Sequence, residues 1–169
     1  MKEERVGLSN QGYIANRECQ YFLGGTPDLD FTMNAIIGLS NPVDSGVNLY
    51  LDTTTICNLS KDLCRVQLCS AYHTLDDLQQ VENISMGNLN CRPSQSPQGK
   101  LVFGANKKLP VEANSCGTAT LCEYETTRLR EEGMIVIAPG TSHFYIVTSL
   151  VGLKKPTISM NFRWWEETI

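Results

Sequence analysis

Apolar and polar residues alternate with a period of two along most of the chain. The alternation is clearest in Val47–Thr53, Cys64–Ser70 and Thr157–Trp165, where apolar side chains recur at every second position. Such alternation is typical of strands that bury one face. Four further runs are also strand-like: Leu101–Phe103, Thr118–Cys122, Met134–Ala138 and His143–Ser149.

Turn-forming residues separate these runs, among them Gly46 and the pair Pro139 and Gly140. Helical patterns are weak, and the sequence predicts only two short helices, at Thr74–Glu82 and Glu123–Glu132. Seven or eight short strands with little helix predict an all-β fold. We expect a jelly-roll-type β-sandwich of about eight strands with an N-terminal extension.

The N-terminal extension differs from the rest of the chain. Residues 1–24 are polar and carry no regular pattern beyond Tyr21, Phe22 and Leu23, and they are followed by the flexible pair Gly24-Gly25. The sequence therefore predicts a connector arm at 1–24 and a sandwich domain at 25–169. The three apolar residues of the arm are candidates for a docking interface.

Composition and charge narrow the function classes. The chain has 169 residues, which suffices for one domain with a real core. Its net charge of -4 argues against a nucleic-acid partner, since phosphate binding needs concentrated Lys and Arg. No apolar run approaches the roughly 20 residues needed to span a bilayer, and the first ten residues contain no secretory h-region.

Seven cysteines are the main anomaly of the composition. They form no CxxC pair and no other zinc-type spacing, and neither His73 nor His143 lies near a cysteine pair. Two interpretations remain open: buried reduced thiols that pack as small hydrophobes, or disulfides. Because the count is odd, full oxidation would require at least one bond to another chain.

No pattern supports catalysis. The segment Ala138–His143 faintly resembles the second metal-binding motif of cupins, but the earlier His-x-His motif that a cupin metal needs is missing. The chain also lacks a Gly-x-Ser-x-Gly elbow and a phosphate-binding loop. We therefore predict no catalytic, cofactor-binding or metal-binding residue, and no enzyme activity.

Two adjacent tryptophans mark the C-terminal strand. On a strand, Trp164 and Trp165 point to opposite faces, so one is predicted to be in the core and the other on the exterior of the sheet. We assign the exterior position to Trp165. Aromatic residues are enriched in interface cores, so Trp165 is a candidate contact for the arm or for a partner subunit.

Four segments together resemble a known protein family: GLSNPVDSGVNLY at 38–50, TICNL at 55–59, MIVIAPGTSHFYIV at 134–147 and FRWWEE at 162–167. The family is the uncharacterised "domain of unknown function 6143" of spore-forming Firmicutes. The resemblance covers most of residues 20–167, whereas Thr74–Gln98 diverges and the cysteines are denser. The family has no settled activity, so the resemblance supplies context and no mechanism.

The overall layout also resembles the subunits of endospore appendages, in which a jelly roll follows a cysteine-bearing connector. This resemblance implies that the arm reaches into a neighbouring copy and is locked there by disulfides. Cys19, which lies five residues before the flexible pair Gly24-Gly25, is the candidate for the intermolecular bond, with Cys116 or Cys122 as its partner. Spore-surface proteins are released by lysis of the mother cell, so they need no signal peptide.

We therefore expect a structural, self-assembling subunit of an extracellular or spore-surface filament, whose partner is the chain itself. One alternative is an oligomeric β-sandwich that binds a ligand or receptor. Another alternative is a cupin-like metalloenzyme, and the alternative location is the cytoplasm.

Overall fold

The computed structural model describes residues 8–91, 96–151 and 155–169, which form two antiparallel β-sheets packed face to face and one short helix. The elements are α1 (Leu8–Arg17), β1 (Tyr21–Gly25), β2 (Leu29–Asp30), β3 (Ala35–Ser40), β4 (Val47–Asn58), β5 (Cys64–Ala71), β6 (Gln79–Gln80), β7 (Ser85–Met86), β8 (Lys100–Ala105), β9 (Asn114–Leu121), β10 (Thr126–Ile137), β11 (Ser142–Ser149) and β12 (Thr157–Thr168).

The strand order defines two opposite sides of the sandwich. Sheet 1 has the order β10-β4-β12-β1-β7, with β2 also paired to β12, and sheet 2 has the order β6-β8-β3-β11-β5-β9. The connection from β9 to β10 spans only 122–125, so these two edge strands lie on the same side, which we call the open side. The edge strands β6 and β7 lie on the other side, which we call the closed side.

The main core lies between the sheets. Apolar side chains from alternate positions of both sheets meet there, and Trp164 is among the largest of them. The predicted inward faces of the alternating runs are confirmed. They comprise Val47, Leu49, Val66, Leu68, Ile135, Ile137, Tyr145, Val147, Ile158, Met160 and Phe162.

A second, smaller apolar cluster lies on the outer face of sheet 2. Ile36, Phe144 and Ile146 belong to it, together with Leu75 from the connection after β5. The central strands of sheet 2 are therefore buried on both faces. This explains why β3 shows no period-two pattern in the sequence, because a strand buried on both sides reads as a continuous apolar run.

The two predicted helices are wrong. Thr74–Glu82 forms turns and the two-residue strand β6, and the Thr74 hydroxyl donates to Asp76 rather than capping a helix. Glu123–Glu132 forms a turn and the first half of β10, because its ladder to β4 overrides a helical preference that is only local.

The boundary that the sequence predicts after residue 24 falls inside β1. This strand pairs with β12 along its whole length, so residues 21–25 are part of sheet 1. Of the described elements, α1 alone lies outside the two sheets. The described part of the arm, residues 8–24, packs on the sandwich.

Candidate functional site

Helix α1 covers the outer face of sheet 1. Arg17 stands in its last turn, where a cation complements the helix dipole, and Cys19 takes a positive φ of 62° directly after the helix. Ala15 is buried, and Gly12 lies close to both Tyr21 and Trp165. The sequence pattern misses this helix because it is polar, has an internal glycine and has no acidic residue in its first turn.

Trp165 is covered by its own chain. Only 1% of its side chain is exposed, and its ring stacks on Tyr50 with a centroid distance of 5.3 Å. Gly133 closes over the same ring at a φ of 79°, and a Cβ there would lie 2.2 Å from the indole. The sequence offered the arm or a partner subunit as the contact of Trp165, and in this structure the ring is covered by the arm together with Tyr50 and Gly133.

The three apolar residues of the arm form strand β1. Phe22 is 4% exposed, and its ring lies 5.8 Å from that of Trp164 in the main core. The Tyr21 hydroxyl donates to Asp52, and burial followed by this hydrogen bond raises the pKa of the phenol well above its usual range. Leu23 pairs with β12. Tyr21, Phe22 and Leu23 thus dock on their own domain.

Cys19 and Cys91 form a disulfide within the chain, with a Cα–Cα distance of 5.7 Å. In this structure Cys19 therefore pairs with Cys91 of its own chain and with neither Cys116 nor Cys122, and a bond from Cys19 to another subunit stays a prediction. The return of β1 onto β12 and the β7 turn bring the two sulfurs together across 72 residues of sequence, a separation that no local pattern reveals. The bond fixes the end of α1 to the closed side.

The other five cysteines are free: two are buried, two are exposed, and Cys57 is half-buried. Cys64 and Cys69 are buried, and burial raises the pKa of Cys64 to about 11, which makes it a packing thiol without ready reactivity. Cys116 and Cys122 are exposed on the open side. Both interpretations of the cysteines thus hold at once, for different residues.

The two edge strands of the open side differ in chemistry. Within the described residues, β9 pairs only with β5 and β10 pairs only with β4. Both edge strands contain a bulge, β10 between Arg130 and Ile135 and β9 at Cys116. Strand β10 also carries charged side chains, which discourage pairing with another chain. Strand β9, with the sequence NSCGTATL, has no charge and no proline over eight residues, and most of it is exposed.

A bulge in β9 sets the direction of Cys116. The register shifts so that Ser115 opposes Cys69 and Gly117 opposes Leu68, which leaves Cys116 as the extra residue. Its Sγ lies 3.5 Å from Ser70 Oγ on β5 and donates to the Asn114 carbonyl oxygen at 3.6 Å.

Ser70 connects this thiol to a buried histidine. Ser70 Oγ lies 3.2 Å from Nδ1 of His143, whose side chain is 3% exposed. Burial lowers the pKa of His143 to about 4, so the ring is neutral at pH 7. Its Nε2 has no hydrogen-bond partner among the described residues.

These three side chains line a cleft of about 460 Å³ on the open side. Strand β10 supplies the opposite wall, and Tyr72 stands beside it with 87% of its side chain exposed. In the described ranges, no group of three or more His, Cys, Asp and Glu side chains could hold a metal ion. The cleft therefore offers a thiol, a hydroxyl and a neutral imidazole.

Cys122 has a different environment, in the turn between β9 and β10. Its backbone N–H donates to Glu125 Oε2 at 2.6 Å, and Asn58 Nδ2 donates to its carbonyl oxygen at 2.8 Å. The carboxylate of Glu125 therefore stands directly beside this residue.

The family model described as "Family of unknown function (DUF6143)" matches residues 2–169. The chain belongs to this family. No curated protein and no solved structure matches the chain. Within the described residues of this DUF6143 chain, no helix has both the length and the apolar character needed to cross a bilayer.

Proposed function

We propose that this protein is a structural, self-assembling subunit of an extracellular or spore-surface filament. The observation that carries the proposal is strand β9, an exposed and uncharged edge that carries Cys116 and ends next to Cys122. Unpaired edges bind further strands through main-chain hydrogen bonds, and most soluble proteins protect them with charges or prolines. Strand β9 lacks both protections.

The opposite edge of sheet 2 is the complementary surface for β9. In the described residues, β6 pairs with two of the six residues of β8, and the Val81 N–H donates to the Leu101 carbonyl oxygen, so most of this edge has no paired strand. If β9 of one copy meets this edge of the next copy, sheet 2 continues from subunit to subunit. Such a head-to-tail contact leaves a free edge at each end, so it produces an open-ended filament.

We also propose a jelly-roll topology for the sandwich. Its support is the nesting of four antiparallel ladders: β1 with β12, β3 with β11, β4 with β10, and β5 with β9. Among these eight strands, the first thus pairs with the last, the second with the seventh, and so on inward to β5 with β9. This is the pairing of a hairpin folded into two sheets, and its fold lies between β5 and β9.

The N-terminal arm is the second component of the proposal. Strand β1 docks by strand pairing and connects to the domain through the short segment 26–28. Exchange of the arm between copies would preserve every contact of β1 with β12 and would turn the Cys19–Cys91 bond into a bond between subunits. That bond also fits an extracellular or spore-surface location, since disulfides persist in oxidising surroundings.

Electron microscopy and light scattering of the full chain test the proposal. We expect wild-type protein to form particles whose mass grows with concentration. Thr118→Lys places a charge on the exposed β9 edge and should shift the population to monomers. Thr126→Lys is the matched control, because β10 already carries charges, and it should assemble like the wild type. Wild-type protein that stays monomeric at every concentration would overturn the proposal.

A binding module is the second candidate, and a cleft of about 600 Å³ on sheet 2 favours it. Ile36, Leu75 and Leu78 give this cleft an apolar floor, and Lys107 and Lys108 stand among its lining residues. A closed oligomer of fixed mass in the same light-scattering experiment would support this candidate over the filament.

A further inference from the structure

The cleft on the open side contains a directed chain of hydrogen-bond donors. If Nδ1 of His143 carries the ring proton, it donates to Ser70 Oγ, and the Ser70 hydroxyl donates to Cys116 Sγ. The opposite tautomer would bury an N–H at Nε2 without an acceptor in the described residues, which is costly. The first tautomer leaves only an unused acceptor, so it is favoured, and the chain of donors ends on sulfur.

A hydroxyl that donates to sulfur stabilises negative charge there once the thiol proton has left. The thiolate is the form that attacks disulfides. Cys116 is exposed and stands on the edge strand proposed to meet another copy. The buried His143 lines the same cleft, and its Nε2 has no hydrogen-bond partner among the described residues. The site therefore contains a buried imidazole as well as the exposed thiol.

The closed side of a second copy offers a matching disulfide. Cys91 lines an open cleft of about 400 Å³ next to β6 and β7, together with Gln80 and Met86. In the head-to-tail arrangement, this surface faces the open side of the next subunit. The sulfur of Cys91 therefore lies on the surface that Cys116 would approach.

We propose that Cys116 is an exchange-active thiol that attacks Cys91 of the Cys19–Cys91 disulfide in a second copy of the chain. A new bond forms between the two subunits at Cys116 and Cys91, and the bond from Cys91 to Cys19 breaks. Cys19 leaves as a thiolate and takes up the proton that Cys116 has lost. The step consumes no oxidant, because one disulfide replaces another.

Cys122 is not suited to this step. The carboxylate of Glu125 lies next to it, and Glu123 follows it in the sequence. Among the described residues, no hydroxyl donates to Cys122 Sγ, so this sulfur lacks the hydrogen bond that Ser70 provides to Cys116. Cys122 is therefore the matched control for Cys116, since both thiols are exposed and belong to the same side of the molecule.

This inference rests on the proposed function, and its test uses the full-length oxidised protein without oxygen or metal. Samples are alkylated at intervals, separated on non-reducing gels and mapped by mass spectrometry. We expect a covalent ladder that contains Cys116–Cys91 peptides between chains, with Cys19 newly alkylated. The number of free thiols per chain should stay at five throughout, because exchange conserves it.

Variants assign the roles of the residues. Cys116→Ser should abolish the ladder, and Cys122→Ser should leave it unchanged. Ser70→Ala removes one hydrogen bond to the sulfur and should slow the reaction of Cys116 with a small aromatic disulfide about fivefold, while Cys122 reacts as before.

The possible failures are distinguishable. A ladder that survives in Cys116→Ser, bonds between two Cys116 residues with a loss of free thiols, or no covalent product from the wild type would overturn the exchange. If filaments still appear by electron microscopy in those cases, the proposed function stands without it. If wild-type protein forms neither filaments nor covalent products, both fail.

Discussion

The two sides of the sandwich differ in how their sheet edges are paired. On the closed side, the short strands β6 and β7 cover the sheet edges, and the Cys19–Cys91 bond ties the arm to the domain. On the open side, β9 presents an uncovered edge with a free thiol. The difference indicates that the two sides have different roles in the proposed contact: the open side supplies an edge strand with a free thiol, and the closed side supplies the partly paired edge of β8 and a disulfide.

The largest expected effect concerns the arm. Trp165→Ala removes a buried indole between Tyr50 and α1, and we expect it to lower the free energy of unfolding by about 3–5 kcal/mol. Denaturant unfolding checks this, with Tyr72→Ala as the exposed aromatic control, which should change stability by less than about 0.5 kcal/mol. Equal effects of the two variants would contradict the burial of Trp165.

The second-largest expected effect on stability is that of removing the Cys19–Cys91 disulfide. Cys19→Ser removes a bond that closes 72 residues of chain, and loop entropy alone gives it about 4 kcal/mol as an upper value. Thermal unfolding measures the loss. Cys116→Ser, on the open side, should leave the melting temperature unchanged. An unchanged melting temperature in Cys19→Ser would show that the bond does not form in solution.

The two histidines should respond to pH in opposite directions. His143 has a folded-state pKa of about 4, below its unfolded value near 6.5, so its contribution is complete above pH 6.5 and is lost as the pH falls towards 4. The loss is about 3 kcal/mol. His143→Gln should therefore flatten the unfolding free energy between these pH values. A steep dependence that remains in the variant would assign it to other groups.

His73 should contribute to stability with the opposite pH dependence and with a smaller change in the free energy of unfolding. Its two ring nitrogens face the carbonyl oxygens of Thr74 and Val111, and these hydrogen bonds raise the pKa of the ring. Its contribution is present at low pH and is lost as the pH rises through the raised pKa. Nuclear magnetic resonance titration measures the midpoint of each imidazole ring, and we expect that of His73 to lie above that of His143. Equal midpoints would contradict the burial of His143 and the hydrogen bonds of His73.

The smallest expected effect is that of Cys122→Ser. The side chain is exposed in a turn that the side chains of Asn58 and Glu125 already hold through hydrogen bonds to the backbone of Cys122. The free energy of unfolding should change by no more than about 0.5 kcal/mol. A larger loss would mean that the thiol is a structural part of the turn.

Much of the sandwich could be predicted from the sequence, because strands that bury one face repeat apolar residues at every second position. The alternating faces of β4, β5 and β12 all enter the main core. Strand β3 could not be found in this way, since it is buried on both faces. Helix α1 could not be found either, because its packing against Trp165 and not its own composition holds it.

The candidate site was only partly predictable. Cys116 and Cys122 were singled out by the sequence as candidates for a bond between chains, and both are exposed in the structure, Cys116 within β9 and Cys122 directly after it. The pairing of Cys19 with Cys91 depends on how distant strands align, and a sequence pattern carries no such information. The cluster of Ser70, Cys116 and His143 depends on a bulge in β9, which is likewise a property of the folded sheet.

Hydrogen exchange on monomeric and assembled protein tests most directly whether copies join at the open side. We expect the backbone amides of β9 that point away from β5 to exchange rapidly in the monomer and to become protected on assembly. Amides of β1 should be protected in both states, because they pair with β12 throughout. Equally rapid exchange of β9 in both states, with new protection elsewhere, would contradict the central claim.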